Sequence, residues 1–187
     1  MRGASRQMRG ASRQMRGASR QMRGVQRETR GRRWTRSNTI LTLVLVGGLL
    51  SLRWVRVNIE PSVPVGVYLL HAVRTPLPRG TLVLVPVPAR VQQWKSPWTP
   101  LLKPVAAVAG ETACVRDGGL VIDDENYGRV YPEAGGYRLP HMEGCLTVEE
   151  GTIFVASKGD RSLDSRYFGP VHVTEVIAQA TPLWIWR

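Results

Sequence analysis

Lysine is scarce in this chain. There are three, at positions 95, 103 and 158, and every other cation is arginine. Arginine stays charged in any protein environment, whereas a desolvated lysine can lose its proton, so each of the three is a candidate for chemistry. Cysteine is as scarce, with only Cys114 and Cys145, and no Cys-x-x-Cys pair or histidine-rich cluster is present. That excludes the usual zinc-site spacings, and neither metal nor cofactor is expected. Acidic residues are nearly missing from the first 37 positions, which hold twelve Arg and one acid, Glu28. Of the net charge of +12, the tail therefore carries +11 and the remaining residues +1. A basic tail on a neutral body is not a basic binding face on a folded domain, and no specific nucleic-acid partner is expected. After Val57 no helical pattern of a dozen residues occurs.

The tail itself repeats every seven residues, MRGASRQ three times and then MRGVQRE. The repeat lacks the apolar pair that a coiled-coil seam requires, and its glycines and mutually repelling arginines predict disorder over 1–37. Methionine opens each repeat, at 1, 8, 15 and 22, so the start codon is not fixed by the sequence.

Residues 39–52 read TILTLVLVGGLLSL, without a charge. Fourteen residues fall short of the ~20 of a full span, but Trp34 before the run and Trp54 and Val55 after it extend it through an interface where Arg36 and Arg53 can snorkel. A buried core helix and a cleavable signal peptide are the alternatives. The run has no amphipathic period and follows an Arg-rich tail, and no small-x-small cleavage site comes after it, so a signal anchor over 38–56 is preferred. Positive charge on the inner side then leaves 1–37 in the cytoplasm and 57–187 outside.

The outer segment reads as β. Short apolar runs at 81–87, 105–108, 113–115, 120–122, 152–156, 171–177 and 183–186 are separated by Gly and Pro, with Gly118-Gly119 as a turn. The expected fold is an all-β domain with long loops, carried on one transmembrane helix. In an oxidising compartment Cys114 and Cys145 are expected to pair; two buried free thiols are the alternative.

Three segments carry candidate chemistry. Ser62 lies between Pro61 and Pro64, which stiffen the backbone and hold a hydroxyl at a set angle, although an ordinary turn serine can look the same. Lys103 is one cation in the apolar stretch LLKPVAAVAG; burial there would lower its pKa and let a neutral amine accept a serine proton, unless it snorkels to water. The segment 159–171, GDRSLDSRYFGPV, has two acids, two arginines and two hydroxyls in seven residues, followed by Tyr167 and Phe168 to pin it to a core.

Together and in this order, these segments resemble the type I signal peptidases, and most of all the conjugative-transfer (TraF-type) group. The resemblance runs from about residue 40 to the C-terminus. It implies a signal-peptidase-like fold and a serine peptidase with a Ser/Lys dyad, in which Ser62 attacks the scissile carbonyl and Lys103 takes its proton. Ser162 would orient the amine, Asp164 and Arg166 would pair to hold the loop, and Asp164 is also a candidate for a more direct catalytic part. Pro64, Gly66 and Tyr68 would contact substrate. An acid close to Lys103 would raise its pKa, so Asp164 is expected to be satisfied by Arg166 or by backbone. Glu60 stands where the general enzymes often carry a small hydroxyl residue that assists the oxyanion hole. An ionised carboxylate cannot donate there, which leaves backbone N–H groups, with Ser62 the obvious one. Pro104 and the Gly110-Glu111 pair also depart from the usual pattern.

The resemblance further implies a pro-pilin-like precursor as substrate and a bacterial inner membrane as location, with the catalytic domain periplasmic. The group trims a pilin precursor and joins its ends, and hydrolysis and cyclisation both stay open for this chain. The rivals are a general signal peptidase, and a non-catalytic envelope or nucleic-acid-contacting protein that uses its Arg tail. Trp94 and Trp98 flank Lys95, a mix suited to a lipid interface, with core packing of both as the alternative.

Overall fold

A computed structural model describes residues 38–48 and 53–186. The chain divides into two units, Met1–Leu52 and Arg53–Arg187. In the first, residues 38–48 form a helix, α1, with every residue exposed. Thr42 Oγ1 donates to Asn38 O at 2.8 Å within it. Among the described residues no helix is long and apolar enough to cross a membrane. The tail expected over 1–37 and positions 49–52 of the expected anchor lie outside the described residues.

The second unit is mainly β. Its larger sheet has seven strands in the order β1 (Val55–Asn58), β2 (Gly66–His71), β13 (Ala178–Ile185), β3 (Leu82–Val85), β4 (Leu101–Ala107), β11 (Thr152–Val155) and β12 (Val171–His172). Its pairings are all antiparallel. A four-stranded sheet runs β10 (Cys145–Thr147), β5 (Thr112–Arg116), β6 (Gly119–Ile122), β7 (Glu125–Arg129), and β8 (Glu133–Ala134) with β9 (Tyr137–Arg138) makes a separate hairpin. Among its described residues the one α-helix, α2, spans Ser165–Phe168.

Local chemistry explains the hairpins. Each of the β5–β6, β6–β7 and β8–β9 links has two central residues at positive φ: Asp117 and Gly118, Asp123 and Asp124, Gly135 and Gly136. Such two-residue turns match the right-handed twist of the strands they join, and Asp and Gly tolerate the conformation. The first turn is therefore Asp117-Gly118, with Gly119 already inside β6. The C-terminal strands also depart from the apolar pattern. Only Val171 and His172 of 171–177 are strand, followed by a 3-10 turn at Val173–Glu175. The long strand is Ala178–Ile185, which takes in Pro182 at a shift of register against β2. A proline cannot donate to the ladder, and such an irregularity accommodates it.

Side chains alternate across the larger sheet. Val83, Val85, Leu101 and Val105 join the main core with Phe154, Leu120 and Ile122. Leu84 and Leu102 face a smaller cluster with Val63, Tyr68, Ala178 and Ala180. On β4, Lys103 falls in step with Leu101 and Val105, so its side chain leaves the strand on the main-core side.

The two cysteines are joined by a disulfide, Cys114–Cys145. They are direct cross-strand partners in β5 and β10.

Candidate active site

Ser62 sits in the link between β1 and β2. Asn58, buried at the end of β1, folds that link: its Nδ2 donates to the carbonyls of Glu60 at 2.8 Å, Val63 at 3.1 Å and Pro64 at 3.3 Å. Tyr68 adds a bond from its hydroxyl to Pro64 O at 2.5 Å. One amide side chain and one phenol thus anchor a segment whose two prolines remove backbone donors. The sequence offered no signal for Asn58, because an asparagine before a proline-rich turn is ordinary.

Lys103 meets Ser62 from β4, in the same sheet as β1 and β2. Its Nζ lies 2.7 Å from Ser62 Oγ and 3.0 Å from Ser162 Oγ. The residue is 1 % exposed. Burial pushes its pKa down to about 8, with Arg166 and Lys95 adding to that and the Asp164 carboxylate opposing it. A buried ammonium loses hydration, and that loss outweighs a carboxylate already neutralised by its own partner.

The loop after β11 supplies Ser162, Asp164 and Arg166. Asp164 and Arg166 are both fully buried. Arg166 Nε donates to Asp164 Oδ1 at 2.8 Å and one terminal nitrogen donates to Oδ2 at 3.1 Å. The carboxylate also accepts from the backbone of Ser157 at 3.1 Å and of Arg166 at 3.3 Å, the latter as the N-cap of α2. The rest of the guanidinium binds the carbonyls of Ser157 at 2.8 Å, Arg129 at 3.0 Å, and Tyr127 and Gly159 at 3.1 Å. Arg166 therefore ties the Ser162 loop to β7. Gly128 permits the contact: a Cβ there would stand 2.6 Å from the Gly159 carbonyl. With its oxygens so occupied, Asp164 acts on Lys103 through its field.

Ser62, Lys103 and Ser162 open into a cavity of about 600 Å³. Leu101, Leu139, Leu163, Tyr131 and Tyr167 form apolar wall, and Glu60, Lys95, Glu133, Asp160 and Arg161 are its charged residues. Lys95 forms an ion pair with Glu60. The sequence pattern did not reveal this pair, whose partners stand 35 residues apart. Trp94 lines the cavity and packs on the main core, whereas Trp98 is 90 % exposed. Core packing of both tryptophans therefore does not hold, because Trp98 is exposed.

Pro64, Gly66 and Tyr68 do not line the cavity. Tyr68 is completely buried in the smaller cluster, and Gly66 faces Trp184 O so closely that a Cβ would stand 2.2 Å away. Gly66 and Tyr68 pair with β13 and hold the Ser62 link against it, while Pro64 is exposed.

A seryl hydroxyl, a buried amine within hydrogen-bonding distance and an adjoining cleft are together able to act as nucleophile, base and substrate space. The profile of the signal peptidase family, peptidase S26, matches residues 32–186, and the chain belongs to that family. It is similar to two proteins called conjugal transfer protein TraF. One, from Agrobacterium fabrum (strain C58 / ATCC 33970), is 29% identical over 165 residues, covering 75% of this chain and 84% of that protein. The other, from Agrobacterium tumefaciens (strain 15955), is 28% identical over 153 residues, covering 69% and 81%. Among solved structures, a signal peptidase I from Enterococcus faecalis V583 aligns with 59% of this chain and 100% of its own, at 25% identity and a TM-score of 0.36.

Proposed function

We propose that this protein is a membrane-anchored serine endopeptidase that uses Ser62 as nucleophile and Lys103 as general base. The observation that carries the reading is the 2.7 Å contact between Ser62 Oγ and Nζ of the buried Lys103. A neutral Lys103 takes the hydroxyl proton as Ser62 Oγ bonds to the scissile carbonyl carbon. The leaving amine then takes that proton, the peptide bond breaks and an acyl-enzyme is left. Water, deprotonated by Lys103, adds to the ester carbonyl, and Ser62 Oγ leaves with that proton as the acid is released. An amine of the substrate, if well placed, resolves the ester equally well and forms a new peptide bond. Ser162 holds the Lys103 amine on its second side, and the Ser62 backbone N–H is the candidate oxyanion donor, since Pro61 has none.

The likeness to the conjugal transfer proteins supports a pro-pilin-like precursor as substrate. Family membership supports a bacterial inner-membrane location, with the apolar run at 39–52 as anchor and the β domain on the periplasmic side.

The test is incubation of the detergent-extracted protein, and of its Ser62→Ala form, with a pilin precursor, followed by intact-mass spectrometry. Loss of a short peptide indicates trimming, and a further loss of one water indicates cyclisation. If the wild type releases nothing and no acyl-enzyme forms on Ser62, the reading fails. Growth rescue of cells depleted of their own signal peptidase would instead point to a general processing role.

A further inference from the structure

Part of the cavity wall takes no part in the chemistry above. Besides Ser62 and Lys103, the lining includes Tyr131, Glu133, Ala134 and Leu139, from the segment after β7. Glu133 and Ala134 make up β8, one arm of a hairpin that hydrogen-bonds to neither of the larger sheets.

Alternation decides which part of β8 borders the cavity. Successive side chains of a strand leave on opposite faces, and cross-strand partners share a face. Glu133 pairs with Arg138 and Ala134 with Tyr137. A face of the hairpin would therefore present one β8 residue together with its β9 partner. Instead both β8 residues line the cavity, and Tyr137 and Arg138 do not. It is the edge of β8 that borders the cavity.

That edge has its main-chain groups free of β9. Leu139 N–H donates to Pro132 O at 2.8 Å, which makes 132 and 139 a hydrogen-bonded pair. In an antiparallel ladder such pairs alternate with pairs whose N–H and C=O point outwards. Glu133, one place along, thus turns its N–H and C=O away from β9 and towards the cavity. Arg138 turns its own away from β8, on the far edge.

The hairpin is moored to the segment that delivers Ser162. Tyr131 N–H donates to Tyr167 Oη at 3.1 Å and Met142 N–H to Arg166 O at 2.8 Å, one anchor before β8 and one after β9. The space also suits one more strand. A round cavity of about 600 Å³ is roughly 10 Å across, and a strand added to an edge lies about 4.8 Å from it.

We infer that the free edge of β8 is a docking edge for the precursor: extended main chain beside the scissile bond pairs with Glu133, giving a carbonyl to its N–H and an N–H to its C=O. The inference rests on Ser62 and Lys103 being the nucleophile and base, and it adds where the backbone of the substrate is held. Pairing of this kind reads an extended conformation more than side chains. It selects against a helical segment, and against proline at the paired position, which has no N–H to give.

Glu133→Pro and Arg138→Pro test the inference against each other. Each removes an outward N–H and no hairpin bond, so the two burden the fold alike. In the full chain carrying Ser62→Ala, in detergent micelles, affinity for the pilin precursor is measured by titration calorimetry. Glu133→Pro is expected to weaken binding about three- to tenfold, the loss of one main-chain hydrogen bond. Arg138→Pro is expected to stay within about twofold of the parent, since its N–H faces away from the cavity. Equal losses in both, or no loss in Glu133→Pro, overturn the inference.

A second measurement needs no change in the hairpin. Amide exchange in the Ser62→Ala chain is followed by ¹⁵N NMR with and without precursor. The Glu133 amide is expected to slow at least about tenfold on binding, while that of Arg138 keeps its rate. If Glu133→Pro does not fold, the exchange decides alone, and an unprotected Glu133 overturns the inference. Neither readout needs cleavage. Protection at Glu133 with no acyl-enzyme on wild-type Ser62 would sink the peptidase reading and leave the docking edge standing.

Discussion

Arg166 and Asp164 are two positions apart in sequence, both without solvent exposure, and joined by paired hydrogen bonds of 2.8 and 3.1 Å. That pair is the keystone of the loop that delivers Ser162 to Lys103. Removing one partner leaves an uncompensated charge in the core, at a cost of about 3–5 kcal/mol. Asp164→Ala and Arg166→Met are each expected to lower the unfolding free energy by that much, read as a lower urea midpoint. A midpoint unchanged in both would show that the pair does not hold the loop.

Ser62→Ala and Lys103→Arg are expected to abolish precursor cleavage while leaving the circular dichroism spectrum of the β domain intact. Arginine fails as a base because it keeps its proton at any accessible pH. Residual turnover within tenfold of wild type in either variant would remove that residue from the proposed chemistry.

Activity is expected to rise with pH through about 8, where Lys103 loses its proton, and then to level off. The same shift bears on stability. The folded-state pKa lies below that of the unfolded chain, so the penalty for burying the ammonium is absent above the unfolded value. It grows as pH falls and is complete below about 8. Lys103→Met is therefore expected to stabilise the domain at pH 7 by about 1–3 kcal/mol, after allowance for two lost hydrogen bonds. The gain should shrink at pH 9.5. Denaturant titration of both proteins at the two pH values measures it, and an equal or larger gain at the higher pH would contradict the assignment.

Replacing Cys114 and Cys145 together by serine opens a crosslink between residues 31 apart. The expected loss is about 2–4 kcal/mol. The loosened segment includes Leu139, in the cavity wall, and Met142, whose N–H donates to Arg166 O at 2.8 Å. Thermal unfolding with and without reductant should show the same difference in wild type and none in the double variant.

Gly66→Ala tests the packing of the Ser62 link. The added methyl would meet Trp184 O at 2.2 Å and Ile185 Cδ1 at 2.9 Å, so β2 and β13 must separate. A destabilisation of about 1–3 kcal/mol is expected, read as faster hydrogen exchange along β13. A neutral substitution would mean that the two strands can slide apart without cost.

Much of the domain's character was readable along the chain because it is local. A glycine pair marked the first hairpin to within one residue, Asp117-Gly118 in place of Gly118-Gly119, and the apolar run at 82–85 marked a strand. The polar loop at 159–171 was visible as a distinct composition. Strand limits were harder. At 171–177 the apolar pattern suits a strand, yet residues 173–175 turn, and the strand that pairs with both β2 and β3 begins at Ala178. Apolar pattern alone does not say which backbone groups will find partners. The Asn58 brace, the Glu60–Lys95 ion pair and the burial of Tyr68 had no signature, since each depends on groups brought together by folding.

By itself, the sequence determined which chemistry this protein has to hand: one serine on a proline-stiffened link, one lysine among apolar neighbours, and a loop whose acid and arginine can neutralise each other. Those are properties of residue type and near neighbours. Only the tertiary structure decided that the amine and the hydroxyl meet, that Asp164 spends its oxygens on Arg166, and that a second lysine enters the same cavity. Distance and desolvation set those outcomes, and both arise only when β4, the β1–β2 link and the loop after β11 are packed together.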